Sequence, residues 1–447
     1  MRCRLIIVFI LINSVLFSQE TTVSPFSAQG LGDVGYYGDA YFSGLGGVTI
    51  PVIDSTHVNL FNPSSYAMVS QGLPLFSMGF AHQESFFEEN ELTARDRYTG
   101  ITQMALVVPF AKRFGLAFGL KPFSRAGYTV NDFELIQGDT MFKEYAGRGE
   151  IQEFNFGFSI KFMDRLSHKM LIGANAKRYF GQIDYNRSAY QKSNFTSSGA
   201  MESRQLNVGG FGYDVALTYQ FRPNTQNVLT LSGFFRDQQR VDGTLSLTRL
   251  YFGNFGDIGT YDTLLPTTRT KDKLTLPQRI GGGFAYEFKA QRDSVARSGR
   301  APSFTLFGEY TLDPWSQFSS PFSDADFSYF DGTNARLGMQ FIPHKNTLER
   351  TAYLRNFQKW SYRLGAYYSE LPYRSLGEQV NDMGVSFGIG IPIVLNQAIS
   401  NLNFSVNYGE RSSGSSVNHL QERYIGFNFG LNIAPSYDRW FRKQQLN

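Results

Sequence analysis

Beyond Cys3 the chain has no cysteine, so disulfides, thiolate chemistry and cysteine-based metal sites are excluded for nearly its whole length. After the first twenty residues it also lacks any run of eighteen or more apolar residues, which excludes a conventional membrane-spanning helix there. Charge is sparse, at 18% of 447 residues, and close to balance at +4. A nucleic-acid partner is not expected, because such binding calls for a clustered basic footprint. Histidine is scarce as well. His57, His82, His168, His344 and His419 are scattered, with no pair at metal-ligand spacing. No Gly-x-Ser-x-Gly elbow is present to expose a serine nucleophile. Gly281-Gly282-Gly283 lies in an alternating segment with no helix after it, which removes the phosphate-cradle reading. Asp324, Asp326 and Asp331 match no known calcium loop and read as solvated loop charge. The chain is therefore not expected to be an enzyme, and no cofactor or metal is expected.

Aromatic residues and glycine are abundant instead. Forty-two Phe, 25 Tyr and 44 Gly with so little charge is an unusual mixture for a soluble enzyme. It suits a transmembrane β-barrel, in which half of each strand meets lipid and half meets a polar interior.

The N-terminus reads as a secretory signal. Arg2 and Arg4 precede a largely apolar stretch, Leu5 to Phe17, followed by Ser18-Gln19-Glu20. Residues 1–19 are expected to be removed, Cys3 with them, and the formal charge then falls by two from +4.

Period-two alternation recurs along the rest. Phe154, Phe156, Phe158, Ile160 and Phe162 alternate with Asn155, Gly157, Ser159 and Lys161. Ile425, Phe427, Phe429, Leu431 and Ile433 alternate with Gly426, Asn428, Gly430 and Asn432. Such spacing gives a strand one oily and one small or polar face, and it fails the helical test. Strands are expected near 75–87, 98–110, 113–130, 149–162, 168–185, 203–220 and 227–236. Seven more are expected near 275–289, 303–311, 327–342, 358–370, 379–392, 402–409 and 421–433. The fold class is thus all-β, a 14-stranded antiparallel transmembrane barrel over 73–435. With a periplasmic N-terminus the odd-numbered connections, including 237–274, are mostly longer and read as external loops.

Residues 20–72 do not read as a membrane strand. They are rich in glycine and serine, yet carry enough Phe, Tyr, Val, Leu and Ile to bury something. Two readings stay open, a compact plug folded into the lumen and a plain periplasmic lead-in. Residues 436–447 carry Arg439, Arg442 and Lys443 and read as a periplasmic tail.

Gly44-Leu45-Gly46-Gly47, followed by Asn62-Pro63-Ser64-Ser65-Tyr66 and then the first strand, resembles the start of FadL-like outer-membrane barrels. Ser64 stands where that family usually has Ala. The resemblance implies a fourteen-stranded barrel with an N-terminal plug, in which Gly44, Gly46, Gly47, Asn62, Pro63 and Ser64 form the plug motif. The opening Ser24-Pro25-Phe26-Ser27 with Gly30-Leu31-Gly32-Asp33, and the closing Asp438-Arg439-Trp440-Phe441-Arg442-Lys443, resemble outer-membrane proteins of Bacteroidetes. Some FadL-like relatives there serve the type 9 secretion system.

Lys121, Lys161, Lys177 and Arg178 sit on or near strand faces and are candidate lumen charges, since a charge facing lipid would cost several kcal/mol. They serve either as structural ion pairs in a filled barrel or as contacts for an anionic headgroup. The expected location is the cell outer membrane, among its lipids. Two functions follow: a FadL-like channel passing a hydrophobic ligand, or a non-transporting accessory barrel docked to a larger secretion complex.

Overall fold

The computed structural model describes residues 24–435 apart from 36–37, 70–73, 90–91, 137–138, 193–196, 256, 258, 260, 291–301, 321–328, 345–355, 376, 396–397 and 414–419. The expected signal segment 1–19 and tail 436–447 lie outside the described residues. The strands are β1 (Leu75–Glu89), β2 (Leu92–Ala111), β3 (Phe114–Ile136), β4 (Asp139–Asp164), β5 (His168–Lys192) and β6 (Ser197–Phe221). Then come β7 (Asn227–Arg236), β8 (Gln239–Phe252), β9 (Tyr261–Leu276), β10 (Arg279–Lys289) and β11 (Ser303–Asp313). β12 (Gly332–Ile342), β13 (Ser361–Ser375), β14 (Glu378–Leu395), β15 (Ala398–Ser412) and β16 (Gln421–Ile433) complete the order.

Fourteen of these close into a barrel. Each pairs antiparallel with its neighbours, β1 with β16, and β7 directly with β10. The remaining two, β8 and β9, form a hairpin outside the barrel circuit. β8 pairs with the upper part of β6, from Gly199↔Phe252 to Gly209↔Asp242, while β7 takes the lower part, from Val215↔Phe235 to Phe221↔Leu229. The stretch 237–274, expected to be an external loop, is therefore mostly strand. Its Val241, Leu245 and Leu274 turn to an inner apolar cluster, while Arg269, Lys271 and Lys273 are exposed, so the stretch carries no outward oily face for lipid. For the same reason 131–148 and 186–202, also expected as loops, continue as β3–β4 and β5–β6.

The wall inverts the burial rule of soluble proteins. Phe154, Phe156, Phe158 and Phe162 are each about two-fifths exposed, whereas Asn155 and Ser159 between them are buried. The same contrast holds for Phe404 and Val406 against Asn403 and Ser405. An outward aromatic band over an inward polar face is the pattern of a membrane barrel. β4 has 26 residues, although a tilted strand crosses a membrane in about 9–11. Its aromatic run ends at Phe154, so Asp139–Gln152 rises beyond the band with its neighbours as a projecting sheet.

Inside, residues 24–69 touch the wall on nearly every side. Ser24 N donates to Gly127 O on β3 at 2.9 Å, and Gly46 N to Ser386 Oγ on β14 at 2.9 Å. Thr49 N and Ile50 N both donate to Glu309 on β11 at 2.6 Å. Tyr66 OH donates to Asn175 on β5 at 2.9 Å, and Asn432 on β16 donates to Asp39 at 3.2 Å. The segment thus occupies the lumen. Asp39 caps a one-turn helix, Ala40–Ser43, by accepting from Tyr41 N and Phe42 N. Three apolar clusters stack along it: Phe26 and Leu31 with Trp315, Tyr329 and Tyr373; Tyr41, Phe42, Leu45 and Val48 with Phe307; Leu60 and Tyr66 with Val107 and Ala117. Tyr329 donates to Gln29 O and accepts from Leu31 N, and burial pushes its phenol up.

Candidate functional site

The lumen segment runs from one mouth of the barrel to the other. Ser24 lies level with Gly127, thirteen residues beyond the first residue of β3, while Tyr66 lies against Gly115, the second. Gly46 and Gly47 have φ of +69° and +79°, values that L side chains rarely adopt. A Cβ on Gly46 would stand 2.8 Å from Ala366 N on β13. Gly44 sits as closely on Gly388 of β14. Asn62 holds the next turn: its Oδ1 accepts from Ser64 N at 3.0 Å and Ser64 Oγ at 2.6 Å, and its Nδ2 donates to Ile50 O at 2.6 Å. Pro63 opens the following short 3-10 helix, where the lack of an N–H is tolerated. Ser64 Oγ meets Thr218 Oγ1 of β6 at 2.7 Å. Here the hydroxyl gives a bond to the wall that an alanine could not.

Two ion networks flank this segment. In the first, Glu153 on β4 lies 3.2 Å from Lys121 and 3.0 Å from Lys177, and Lys177 lies 2.5 Å from Asp214 on β6. Lys121 also stands over the Phe61 ring at 4.7 Å. In the second, Arg411 on β15 lies 3.1 Å from Asp33, 2.9 Å from Asp382 and 3.8 Å from Glu422. Glu422 accepts from Ser24 and Ser85, and Tyr424 donates to Asp382 at 2.7 Å. A third contact ties Arg336 to Glu309 at 3.0 Å and to Gly47 O at 3.2 Å. Between them is a cavity of about 240 Å³ lined by, among others, Asp33, Lys121, Glu153, Arg236, Arg336 and Arg411.

Of the four cations singled out from sequence, Lys121 and Lys177 meet in this interior. Lys161 is set at the rim, 3.7 Å from Asp164. Arg178 does not line the lumen at all. It is exposed on the outer face and stacks on Phe211 at 4.6 Å. Adjacent strand residues face opposite sides, so Lys177 and Arg178 could not both point inward. Arg178 pairs in register with Phe154, the upper end of the aromatic band, where a long side chain can reach the interface. Arg178→Gln is accordingly expected to change stability by no more than about 1 kcal/mol, the worth of an exposed cation–π contact, in thermal unfolding in detergent. Asp33, Glu309, Arg336, Arg363 and Arg411 were not singled out. For the four on strands the signal is the same, a charge placed inside an alternating strand whose other face is oily, whereas Asp33 lies in the lumen segment, where no such alternation marks it.

One part of the wall is incomplete. β2 and β3 pair only from Met104↔Leu120 to Ala111↔Phe114, and among the described residues the ladder forms no pair above that. β3 is irregular there, with a register shift between Pro122 and Ser124. The lumen segment fills the seam, since Asp33 forms a bridge with Arg125 through bonds of 2.6 and 3.0 Å. Arg125 crosses the gap, donating to Ile101 O on β2 at 2.5 Å and to Tyr98 OH, and lies 3.4 Å from Glu150.

No curated protein matches the sequence. Among solved structures, the Pseudomonas putida toluene transporter TodX is similar at TM-score 0.54 and 13% identity, over 91% of this chain and 99% of that one. The Ralstonia pickettii toluene transporter TbuX is similar at 0.51 and 10%, over 89% and 98%. A Pseudomonas aeruginosa FadL homologue is similar at 0.50 and 13%, over 89% and 98%. At such identities the likeness concerns the fold, and the fold is that of FadL-like outer-membrane barrels. A family model described as BamG spans residues 1–447, and by that match over its whole length the chain belongs to the BamG family.

Proposed function

We propose that this protein is a closed outer-membrane barrel that works through protein contacts, as an accessory of a larger envelope complex, and does not carry a solute through its lumen. The observation that carries this reading is the filling of the lumen. Residues 24–69 are held by the wall at both mouths and between them, and the space that remains, though it also meets Leu60, Phe61, Phe123 and Trp315, is ringed by the ionic groups of Asp33, Lys121, Glu153, Arg336 and Arg411. Small-molecule sites for apolar ligands are lined mainly by apolar and aromatic groups, with few polar ones. A hydrocarbon entering this cavity would strip water from carboxylates, ammonium groups and guanidinium groups, which is unfavourable. In this reading Gly44, Gly46, Gly47, Asn62, Pro63 and Ser64 lock the plug, Lys121 holds it through the Phe61 ring, and Lys177 orders the wall beside it by pairing with Glu153 and Asp214. The projecting sheet is then the part of the molecule available to other proteins. Affinity purification of the tagged protein in mild detergent tests this. Stoichiometric co-purification of other envelope proteins is expected, and recovery of the barrel alone under several conditions would count against it.

The second reading is passage of a hydrophobic small molecule into the outer membrane, and the β2–β3 seam favours it. The similar structures described as toluene transporters favour it as well. Displacing Asp33 and Arg125 would open the wall beside the cavity. Unchanged uptake of apolar compounds in a deletion strain, with no lipid-like molecule bound to the purified protein, would remove this reading.

A further inference from the structure

We infer that the outer edge of β9 is a strand-addition site for an extended, acidic segment of another protein at the cell surface, an inference that rests on the protein-contact reading above. The sheet that leaves the barrel through β6 continues to β8 and ends at β9. An end strand presents a row of unpaired N–H and C=O groups, which is a template for one more strand. This edge already accepts antiparallel addition at its lower end. Thr275 N donates to Ser319 O at 2.9 Å, and Ser319 N to Thr275 O at 3.4 Å. Backbone groups of successive strand residues point to opposite edges. Lys273, Lys271 and Arg269, which share the parity of Thr275, therefore aim their N–H and C=O groups outward from the sheet. The residues between them bond to β8 in an unbroken register from Leu247↔Thr268 to Gln239↔Leu276. Pro266 has no N–H, so among the described residues the unpaired edge runs from 267 to 274.

The hairpin is braced for this. Phe252 is fully buried among Tyr190, Phe255 and Tyr261 near its tip, and Val241, Leu274 and Leu276 join the apolar cluster at its base. A braced edge loses little freedom on binding.

The side chains select the occupant. Arg269, Lys271 and Lys273 are exposed, fall on one face by alternation, and none forms an ion pair among the described residues. Charges directly opposite on paired strands attract when unlike and repel when alike. A second copy of β9 would bring basic residue against basic residue, so self-pairing is opposed. A strand with carboxylates at alternate positions meets the stripe at each one.

The probe is a synthetic ten-residue peptide alternating aspartate and valine, fluorescently labelled, with a lysine–valine peptide as control. Binding to the full-length protein in detergent is read by anisotropy, and protection of the 269, 271 and 273 amides by hydrogen exchange. The acidic peptide is expected to bind and to protect those three amides. Lys271→Pro, which removes one outward N–H, is expected to weaken it at least about tenfold, and Lys271→Gln, which removes charge alone, by about two- to threefold. An acidic peptide N-methylated at alternate residues, which needs no change in the protein, should fail to bind. Equal affinity for the proline and glutamine variants, or for the N-methylated peptide, would reduce the effect to charge adsorption and overturn the assignment. So would absence of binding, or protection of the three amides before peptide is added. Envelope proteins that co-purify equally with wild type and Lys271→Pro would overturn the β9 site and leave the protein-contact reading standing. Loss of those partners with Lys271→Pro alone would support both.

Discussion

Arg411→Met is expected to lower stability by about 3 kcal/mol and to release the first residues of the lumen segment. Removing one partner of a buried ion pair typically costs about 3–5 kcal/mol, because the remaining charge is left uncompensated. Arg411 faces three carboxylates, Asp33, Asp382 and Glu422, which are all nearly buried. We take the lower end of that range because the adjoining cavity can admit water. Methionine keeps most of the volume, so the effect reports charge and not a void. Asp33 carries the bridge to Arg125, and Glu422 accepts from Ser24, so loss of Arg411 should loosen residues 24–33 first. Thermal unfolding in detergent, with limited proteolysis scored at that end of the chain, checks both parts. A change below about 1 kcal/mol with unaltered cleavage would mean that water already screens the cluster.

Gly46→Val is expected to be about as damaging, for a different reason. The backbone there has φ of +69°, which costs an L residue roughly 1–2 kcal/mol. The new Cβ would also meet Ala366 backbone atoms at 2.8 and 2.9 Å, and such overpacking costs about 1–3 kcal/mol more. Gly46 cannot retreat, because its N–H is held by Ser386 and a Cβ on Gly365 would in turn touch Gly46 N at 2.0 Å. The expected outcome is a barrel that still closes but whose residues 24–69 become protease-sensitive. Gly377→Ala is the control. Its φ is +86° but nothing lies within 4 Å of the new Cβ, so only the backbone strain remains. Equal behaviour of the two variants would show that the contact with β13 is unimportant.

The barrel was legible in the sequence wherever strands meet lipid. β7 and β16 begin and end at the expected residues, and the fourteen-strand count holds for the closed wall. Above the aromatic band the signal fades. Once neither face must be oily, Asp139–Gln152 or Tyr261–Leu276 looks like any polar loop. The β8–β9 hairpin went unseen for that reason, and its presence raises the sheet to sixteen strands. Among the candidate site residues, inward charge was readable in Lys121 and Lys177 because each alternates with outward apolar neighbours. Arg178 broke the rule by adjacency, since one residue's shift reverses the face. The partners of these cations were not readable, because Glu153 meets Lys177 through a register that no single strand encodes. Glycine in a strand interior often marks a kink or a close approach of backbone. Around the lumen segment, Gly365 and Gly388 give room for Gly46 and Gly44.

In the proposed function the protein's own N-terminal segment closes the lumen. Single-channel recording in planar lipid bilayers tests it most directly, with insertion of the wild-type protein verified by antibody block of the exposed sheet in parallel vesicles. The wild type is expected to show no conductance above the lipid baseline, and a variant lacking residues 24–69 is expected to conduct in discrete steps. Steady conductance by the wild type, or a deletion variant that inserts yet stays equally silent, would contradict the account.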